Sequence, residues 1–412
     1  MFNKFFFKNN NQHFFKYTFL FVIILLLLAF YLRVYKLTDV YTEYDDIGGL
    51  ALHKFVNEDQ TLNVNFLNQS NKFVIPKSKI NNFEQSLLFP IYIAYTFTNS
   101  PGQYILHPLI TFKNDNYIQK LFKYRFISVI FSTLTLLIIY FTLNYISNSH
   151  STFILKFFIL SIFVFSSNSI LYAHHMGVYS IYCLMTALGV LLCSMTINKN
   201  LSFIKAYLIN SIFLYFSYTN IFFFIPLVFI QLSNQNIKEF FLYFHKKYVF
   251  VFINLIIISP IIILLYLKKN WGSASRKVNL DFFSERFNIF EIIIHNLNQS
   301  YLVVKSLFSG FFIFDIIFNY SILGNIFLFI LLYLYIKNKI YKNILINSLF
   351  IFLLLWIILY NFSYLPFDQT RHALILFPII LIILFVILSK FKIKFFNFAF
   401  FFIINIFNVA FF

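Results

Sequence analysis

Long apolar stretches separated by short polar segments run through most of the chain. The apolar stretches cover residues 17–35, 124–146, 152–171, 178–197, 203–217, 220–233, 248–267, 319–336, 344–361, 372–389 and 395–412. A helix needs about 20 mostly apolar residues to cross a bilayer. The pattern therefore predicts an all-α polytopic membrane protein with roughly eleven transmembrane helices. We expect residues 1–412 to form a single transmembrane domain.

Two longer polar regions, about 36–123 and 268–318, are predicted to be loops on the same side of the membrane. Within the first of them, residues 87–97 are apolar but too short to span comfortably, and Pro90 interrupts them. This length favours a helix that lies at the outer membrane surface or re-enters it.

Charged residues segregate between the two sides that the apolar pattern defines. The lysines expected inside are Lys4, Lys8, Lys16, Lys199, Lys205, Lys238, Lys246, Lys247, Lys337, Lys339, Lys342, Lys390, Lys392 and Lys394. Cytoplasmic loops carry an excess of Lys and Arg. The N-terminus is therefore predicted to be cytoplasmic. No small-residue cleavage site follows the first apolar stretch, so we interpret it as an uncleaved anchor.

Overall composition agrees with a membrane protein. The 412 residues are 60% hydrophobic and 11% charged, with a mean hydropathy of +0.78. These values exclude an ordinary soluble domain and a disordered chain. The net charge of +18 is explained by the inner lysines, so no nucleic-acid partner is predicted. Asn and Lys are so frequent that we give single examples of them little weight.

Three polar motifs fall near the outer ends of the predicted helices. The first is Tyr44-Asp45-Asp46, which follows the first span. Two adjacent carboxylates on a helix diverge by about 100°, so they can take different roles, although a solvated acidic loop stays open as an alternative. The second is His174-His175, at a turn between two spans. These imidazoles could donate to a phosphate or join a metal, and a turn satisfied by its own backbone is the alternative.

The third motif contains Arg371, just before a late span with Pro378. An arginine at the mouth of a helix can bind a phosphate or extend to lipid headgroups. The same two interpretations apply to Arg125 and to Lys268. The chain contains no Gly-rich phosphate loop and no cysteine pair with zinc spacing. No metal ligand set is predicted, and no cofactor follows from the sequence, although a divalent metal stays open.

Taken in chain order, the motifs resemble the GT-C glycosyltransferases that use polyprenyl-phosphate-linked sugars, including protein O-mannosyltransferases and lipid A aminoarabinose transferases. The resemblance is carried by six short stretches: Arg33-Val-Tyr35, Tyr44-Asp45-Asp46, Phe89-Pro-Ile-Tyr92, Tyr124 to Ser128, Leu171 to Tyr179 and Arg371 to Pro378. Asp46 stands where that family usually has Glu, and Gly177 stands where it has Arg.

The resemblance implies an inverting hexosyl- or pentosyltransferase in the bacterial inner membrane, with its active site facing the periplasm. It implies that Asp45 is the base, with Asp46 as a lesser alternative. Arg371, Arg125 and His174 would hold the lipid phosphate, with His175, Tyr44 and Lys268 as further substrate contacts. The partners would be a polyprenyl-phosphate sugar and a lipid, glycan or protein acceptor.

Two other classes of membrane protein fit the same hydropathy pattern. A lipid-linked-sugar flippase or other transporter would also be apolar and positive inside, but it would place charges near the bilayer midplane. An O-antigen ligase or polymerase would depend on the later outer loop, with Arg276 and Arg286.

Overall fold

A computed structural model describes residues 12–35, 37, 117–147, 152–174, 179–234, 239, 242, 247–267, 289–361 and 373–390. These residues are helical apart from short turns, and no strand occurs among them. The predicted all-α class is therefore confirmed for the part of the chain described.

Within the described ranges, the first half of the fold contains seven α-helices. They are α1 (Gln12–Val34), α2 (Tyr117–Ile146), α3 (Phe153–Phe165), α4 (Ser167–Leu171), α5 (Tyr179–Ile197), α6 (Phe203–Phe213) and α7 (Phe224–Asn234), with a 3₁₀ helix at Tyr218–Phe223. The second half adds α8 (Tyr248–Leu267), α9 (Ile289–Phe308), α10 (Phe312–Asn319), α11 (Ser321–Lys337), α12 (Ile344–Asn361) and α13 (Ala373–Ser389), with a 3₁₀ turn at Ile340–Lys342.

Most predicted apolar stretches coincide with a helix. Three helical segments are long and apolar enough to cross a membrane: Leu121–Ile146, Tyr179–Ile197 and Ile344–Asn361. Seven shorter apolar helices accompany them in the described ranges. The predicted stretches 87–97 and 395–412 lie outside the described residues. The structure thus supports a helical protein with several apolar helices, whereas a count of about eleven spans stays a prediction.

Three helices form the centre of the bundle. Nearly every side chain of α3 and α13 and most of those of α5 are buried. Helix α5 packs most extensively against α2 and then against α13, and α13 also contacts α3, α9 and α12. A helix that is apolar all round can be buried on all sides. The other helices surround this core and leave large apolar side chains exposed on α8 and α11.

The structure divides one stretch that the sequence predicts as a single helix over residues 152–171. Helices α3 and α4 are separated at Ser166, whose Oγ donates a hydrogen bond to the Leu307 carbonyl over 2.7 Å. The same oxygen accepts the backbone N–H of Ser169 at 3.4 Å and so caps α4. A hydroxyl that bonds a distant carbonyl and starts a new helix explains the break.

Within the region predicted as the second long loop, the structure contains α9 and α10. Helix α9 crosses between two parts of the bundle. Near its start His295 Nε2 is 2.9 Å from the Tyr360 hydroxyl of α12, and near its end Leu307 bonds Ser166. Burial lowers the pKa of His295, which favours the neutral imidazole in this contact. Polar residues interrupt the apolar pattern of α9, which is why hydropathy alone did not predict it.

Candidate functional site

Arg33 lies in the last turn of α1 and is completely buried. Its Nε donates to Ser132 Oγ at 2.8 Å, its Nη1 to the Ala29 carbonyl at 3.0 Å, and its Nη2 to the Phe163 carbonyl at 3.1 Å and to Ser169 Oγ at 2.6 Å. The guanidinium also lies 5.4 Å from the centre of the Phe163 ring. These partners belong to α1, α2, α3 and α4, so Arg33 joins four helices through neutral oxygens.

Arg125 fixes the chain that follows α1. It lies within α2, is completely buried, and donates from Nη1 to the Leu37 carbonyl over 2.7 Å. The two residues are 88 positions apart in the sequence. The start of α2 is therefore tied to the segment that leads from α1 to the Tyr44-Asp45-Asp46 motif.

The turn after α4 packs against Leu37 and α2. Leu37, Val129 and Ala173 form a small buried cluster, and Phe30 of α1 and Phe126 of α2 pack against it. The two phenylalanine rings meet edge to face at 5.9 Å.

His174 directly follows Ala173 in this turn. It is buried, and its backbone N–H donates to the Leu171 carbonyl at 2.9 Å. The fold thus brings His174 to the place where Arg125 meets the segment after α1.

The first turns of α13 lie at this end of the bundle as well. The Phe377 ring is 5.4 Å from the Phe163 ring, which is the ring next to the Arg33 guanidinium. Ala373, the first residue of α13, is buried. Arg33, Arg125, His174 and the start of α13 therefore lie in one region, which we call the Arg33 end.

One polar residue at the Arg33 end was missed by the sequence analysis. Asn168 precedes Ser169 in α4, and its buried Nδ2 has no hydrogen-bond partner among the residues that the structure describes. A buried amide donor without a partner costs about 1–3 kcal/mol, so it can gain from an oxygen-rich ligand. Because asparagine is so frequent in this chain, only the fold could distinguish Asn168 from the others.

The remaining predicted site residues are not covered. Tyr44, Asp45, Asp46, His175, Lys268 and Arg371 all lie outside the described residues. Of the predicted site, the structure therefore brings together Arg125 and His174, which come from separate parts of the chain. Their roles in substrate binding stay predictions.

In the ranges that the structure describes, no group of three or more His, Cys, Asp or Glu side chains could hold a metal ion. Comparison with protein-family models, with curated proteins and with solved structures found no match to this chain.

The Arg33 end combines two buried guanidinium groups, one buried imidazole residue and an amide donor. Fixed cations and N–H donors stabilise developing negative charge when water is excluded. This end of the bundle is therefore suited to an anionic group such as a phosphate.

Proposed function

We propose that this protein is an integral membrane glycosyltransferase that moves a sugar from a polyprenyl-phosphate carrier to an acceptor at the outer face of the membrane. One observation carries the proposal. The end of α1 with Arg33, the start of α2, the turn after α4 and the start of α13 converge at the Arg33 end. These are four of the places in which the sequence resembles the GT-C enzymes, although they are far apart along the chain.

The lysine distribution supports one orientation of the bundle in the membrane. The end opposite to Arg33 carries Lys199 just after α5 and Lys337 at the end of α11. Lysine-rich ends are expected on the cytoplasmic side. The Arg33 end would then face the periplasm, where the lipid tail of a donor can stay in the bilayer while its sugar enters the site.

Asp45 is close enough in sequence to act at the Arg33 end. It lies eight positions after Leu37, and an extended chain over eight positions spans at most about 29 Å. Because Arg125 binds the Leu37 carbonyl, it limits where this segment can go. We therefore assign the fully buried Arg125 a positioning role for the segment that carries the base.

The reaction needs one base and no general acid. The Asp45 carboxylate takes the proton of the acceptor hydroxyl, and the acceptor oxygen forms a bond to the anomeric carbon from the face opposite to the phosphate. The bond between the anomeric carbon and the phosphate oxygen breaks, and its electron pair leaves with the polyprenyl phosphate. Configuration at the anomeric carbon is inverted.

Negative charge grows on the phosphate as the bond breaks. Arg371 and His174 are the proposed ligands of this phosphate, with His175 and Lys268 as additional donors and Tyr44 lining the sugar site. Helix α13 begins two residues after Arg371, and its start lies near Phe163 at the Arg33 end. This location supports Arg371 as a phosphate ligand.

The test is sugar transfer by purified full-length protein in lipid nanodiscs. Undecaprenyl-phosphate mannose and undecaprenyl-phosphate aminoarabinose are supplied as donors, and release of undecaprenyl phosphate is followed by mass spectrometry. Asp45→Asn should lower the rate by a factor of about 100 or more, as expected for loss of a general base. Asp59→Asn, a change in the same predicted loop, serves as the control and should keep the activity.

Two outcomes would contradict the proposal. If donor lipid crosses the bilayer of proteoliposomes at the same rate with Asp45→Asn and no sugar is transferred by the unaltered protein, the protein is a transporter. If Arg276 and Arg286 are essential while Asp45→Asn has full activity, a ligase or polymerase mechanism replaces this one.

A further inference from the structure

Lys156 is a buried cation at the opposite end of the bundle from Arg33. It lies in the first turn of α3 with 6% of its surface exposed. Its Nζ donates a hydrogen bond to Asn144 Oδ1 over 2.7 Å. Side chains on a helix lean towards its N-terminus, so the ammonium reaches back to the end of α2.

A chain of side-chain hydrogen bonds fixes the ammonium in place. Asn144 also bonds the Tyr140 hydroxyl, one turn earlier in α2. An ammonium has three N–H donors, and Asn144 takes one of them. Among the described residues no other hydrogen-bond partner of Lys156 is found, so two donors are left for a ligand.

The start of α3 adds positive potential at the same point. The side chain of Thr152, which precedes α3, makes no capping hydrogen bond to the helix. Its hydroxyl is instead 3.1 Å from Ser147 Oγ. A helix N-terminus carries about half a positive charge, which is unfavourable next to an ammonium and favourable next to an anion.

The stretch of sequence that contains Lys156 has no acidic residue. Residues 116–238, the acid-free segment, contain no Asp or Glu, whereas they contain Lys120, Lys123, Arg125, Lys156, Lys199, Lys205 and Lys238. Elsewhere in the described ranges the only acids are Glu239, Glu291 and Asp315. Burying an ion without an opposite charge is unfavourable. An anion from outside the chain would remove this cost.

We propose that the Lys156 ammonium, held by Asn144 at the first turn of α3, binds a phosphate group. The occupant that fits this position is the headgroup of an anionic lipid in the cytoplasmic leaflet, because α3 begins at the lysine-rich end of the bundle. Two ammonium N–H groups would donate to phosphate oxygens. This site is separate from the proposed sugar-transfer site and does not depend on it.

Delipidated full-length protein in a neutral detergent is titrated with dioleoylphosphatidylglycerol, and bound lipid is counted by native mass spectrometry. Dioleoylglycerol, which has the same acyl chains without phosphate, is the matched lipid. The unaltered protein should retain one phosphatidylglycerol more tightly than dioleoylglycerol. Lys156→Met should weaken that binding at least tenfold, and Lys156→Arg should restore most of it.

Lys205→Met is the control, because Lys205 also lies in the first turn of a helix in the acid-free segment but is exposed. It should change binding less than twofold. Without lipid, Lys156→Met should be at least as heat-stable as the unaltered protein, because it removes an uncompensated buried charge. A competition arm with inorganic phosphate identifies free phosphate as the source if it displaces the lipid at millimolar concentration. Equal phosphatidylglycerol binding by Lys156→Met and the unaltered protein would overturn the proposal.

Discussion

The hydrogen bonds of the Arg33 guanidinium explain how one charged side chain can be buried in the apolar core. Among the described residues, its charge is stabilised by neutral oxygens of Ser132, Phe163 and Ser169. A hydrogen bond from a charged donor contributes about 1.5–3 kcal/mol. Several such bonds offset the cost of removing a guanidinium from water, which is several kcal/mol.

Replacing Arg33 should destabilise the whole bundle. Arg33→Met removes all four hydrogen bonds, and Arg33→Lys replaces a planar fork with a compact ammonium that cannot reach oxygens on separate helices. We expect each change to reduce the free energy of unfolding by about 2 kcal/mol or more. The measurement is thermal unfolding of the purified protein in detergent, followed by intrinsic fluorescence.

Lys337→Met is the control for this series, because Lys337 is exposed at the end of α11 and lies against the Tyr333 ring. It should alter stability by less than about 0.5 kcal/mol. An Arg33→Met protein as stable as the control would show that the network contributes nothing.

Residue identity alone could not predict these contacts. The sequence selected Arg33 and Arg125 through a resemblance, yet their partners Ser169 and Leu37 are separated from them by 136 and 88 positions. Asn168 carried no local signal at all. Such partners are determined by how the helices pack, which a hydropathy pattern does not contain.

At the scale of elements, the predicted helices agree closely with the structure wherever a continuous apolar run is long. The stretches 344–361 and 248–267 coincide with α12 and α8 at both ends. The predictions failed where a single tertiary hydrogen bond decides the conformation, as at Ser166. They also missed α9, whose polar face keeps its mean hydropathy below that of a span.

The junction between α9 and α10 should be sensitive to one added methyl group. Gly310 has φ +85°, and a Cβ there would lie 2.5 Å from the Phe165 carbonyl oxygen and from Ser167 Oγ. Its N–H also donates to the Asp315 carboxylate at 3.0 and 3.1 Å. Gly310→Ala should therefore push α9 away from α3 and destabilise the protein by about 2 kcal/mol or more.

Ser306→Ala in α9 is the matched control, since the Ser306 hydroxyl donates to the Val303 carbonyl of its own helix. Its free energy of unfolding should lie within about 0.5 kcal/mol of that of the unaltered protein. Hydrogen exchange of the α4 amides should rise in Gly310→Ala and stay unchanged in the control. An unaltered exchange rate in both variants would mean that the junction tolerates a side chain.

At the scale of the whole molecule, the two cysteines provide a simple measurement of orientation. Cys183 and Cys193 are both fully buried, so a membrane-impermeant maleimide should not label the unaltered protein in intact cells. A cysteine introduced at Asn68, in the first predicted outer loop, should be labelled from outside. Cysteines introduced at Lys199 or Lys339 should be labelled only after the cells are opened.

The opposite labelling pattern would place the Arg33 end in the cytoplasm. Transfer from a periplasmic lipid-linked donor would then be untenable, whereas the phosphate site at Lys156 would move to the outer leaflet. The lysine pattern of the sequence predicts the first arrangement.

The separation of Arg33 from its last partner also has a consequence for biosynthesis. Ser169 is made 136 residues after Arg33. At about 5–20 residues per second, ribosomes need roughly 7–27 s for that length. During this interval α1 cannot complete its native contacts, so we expect the guanidinium of Arg33 to stay hydrated at the membrane surface until Ser169 has been made. We therefore expect α1 to assemble in two stages. It inserts into the membrane early, and it packs fully against the bundle only after α4 has been synthesised.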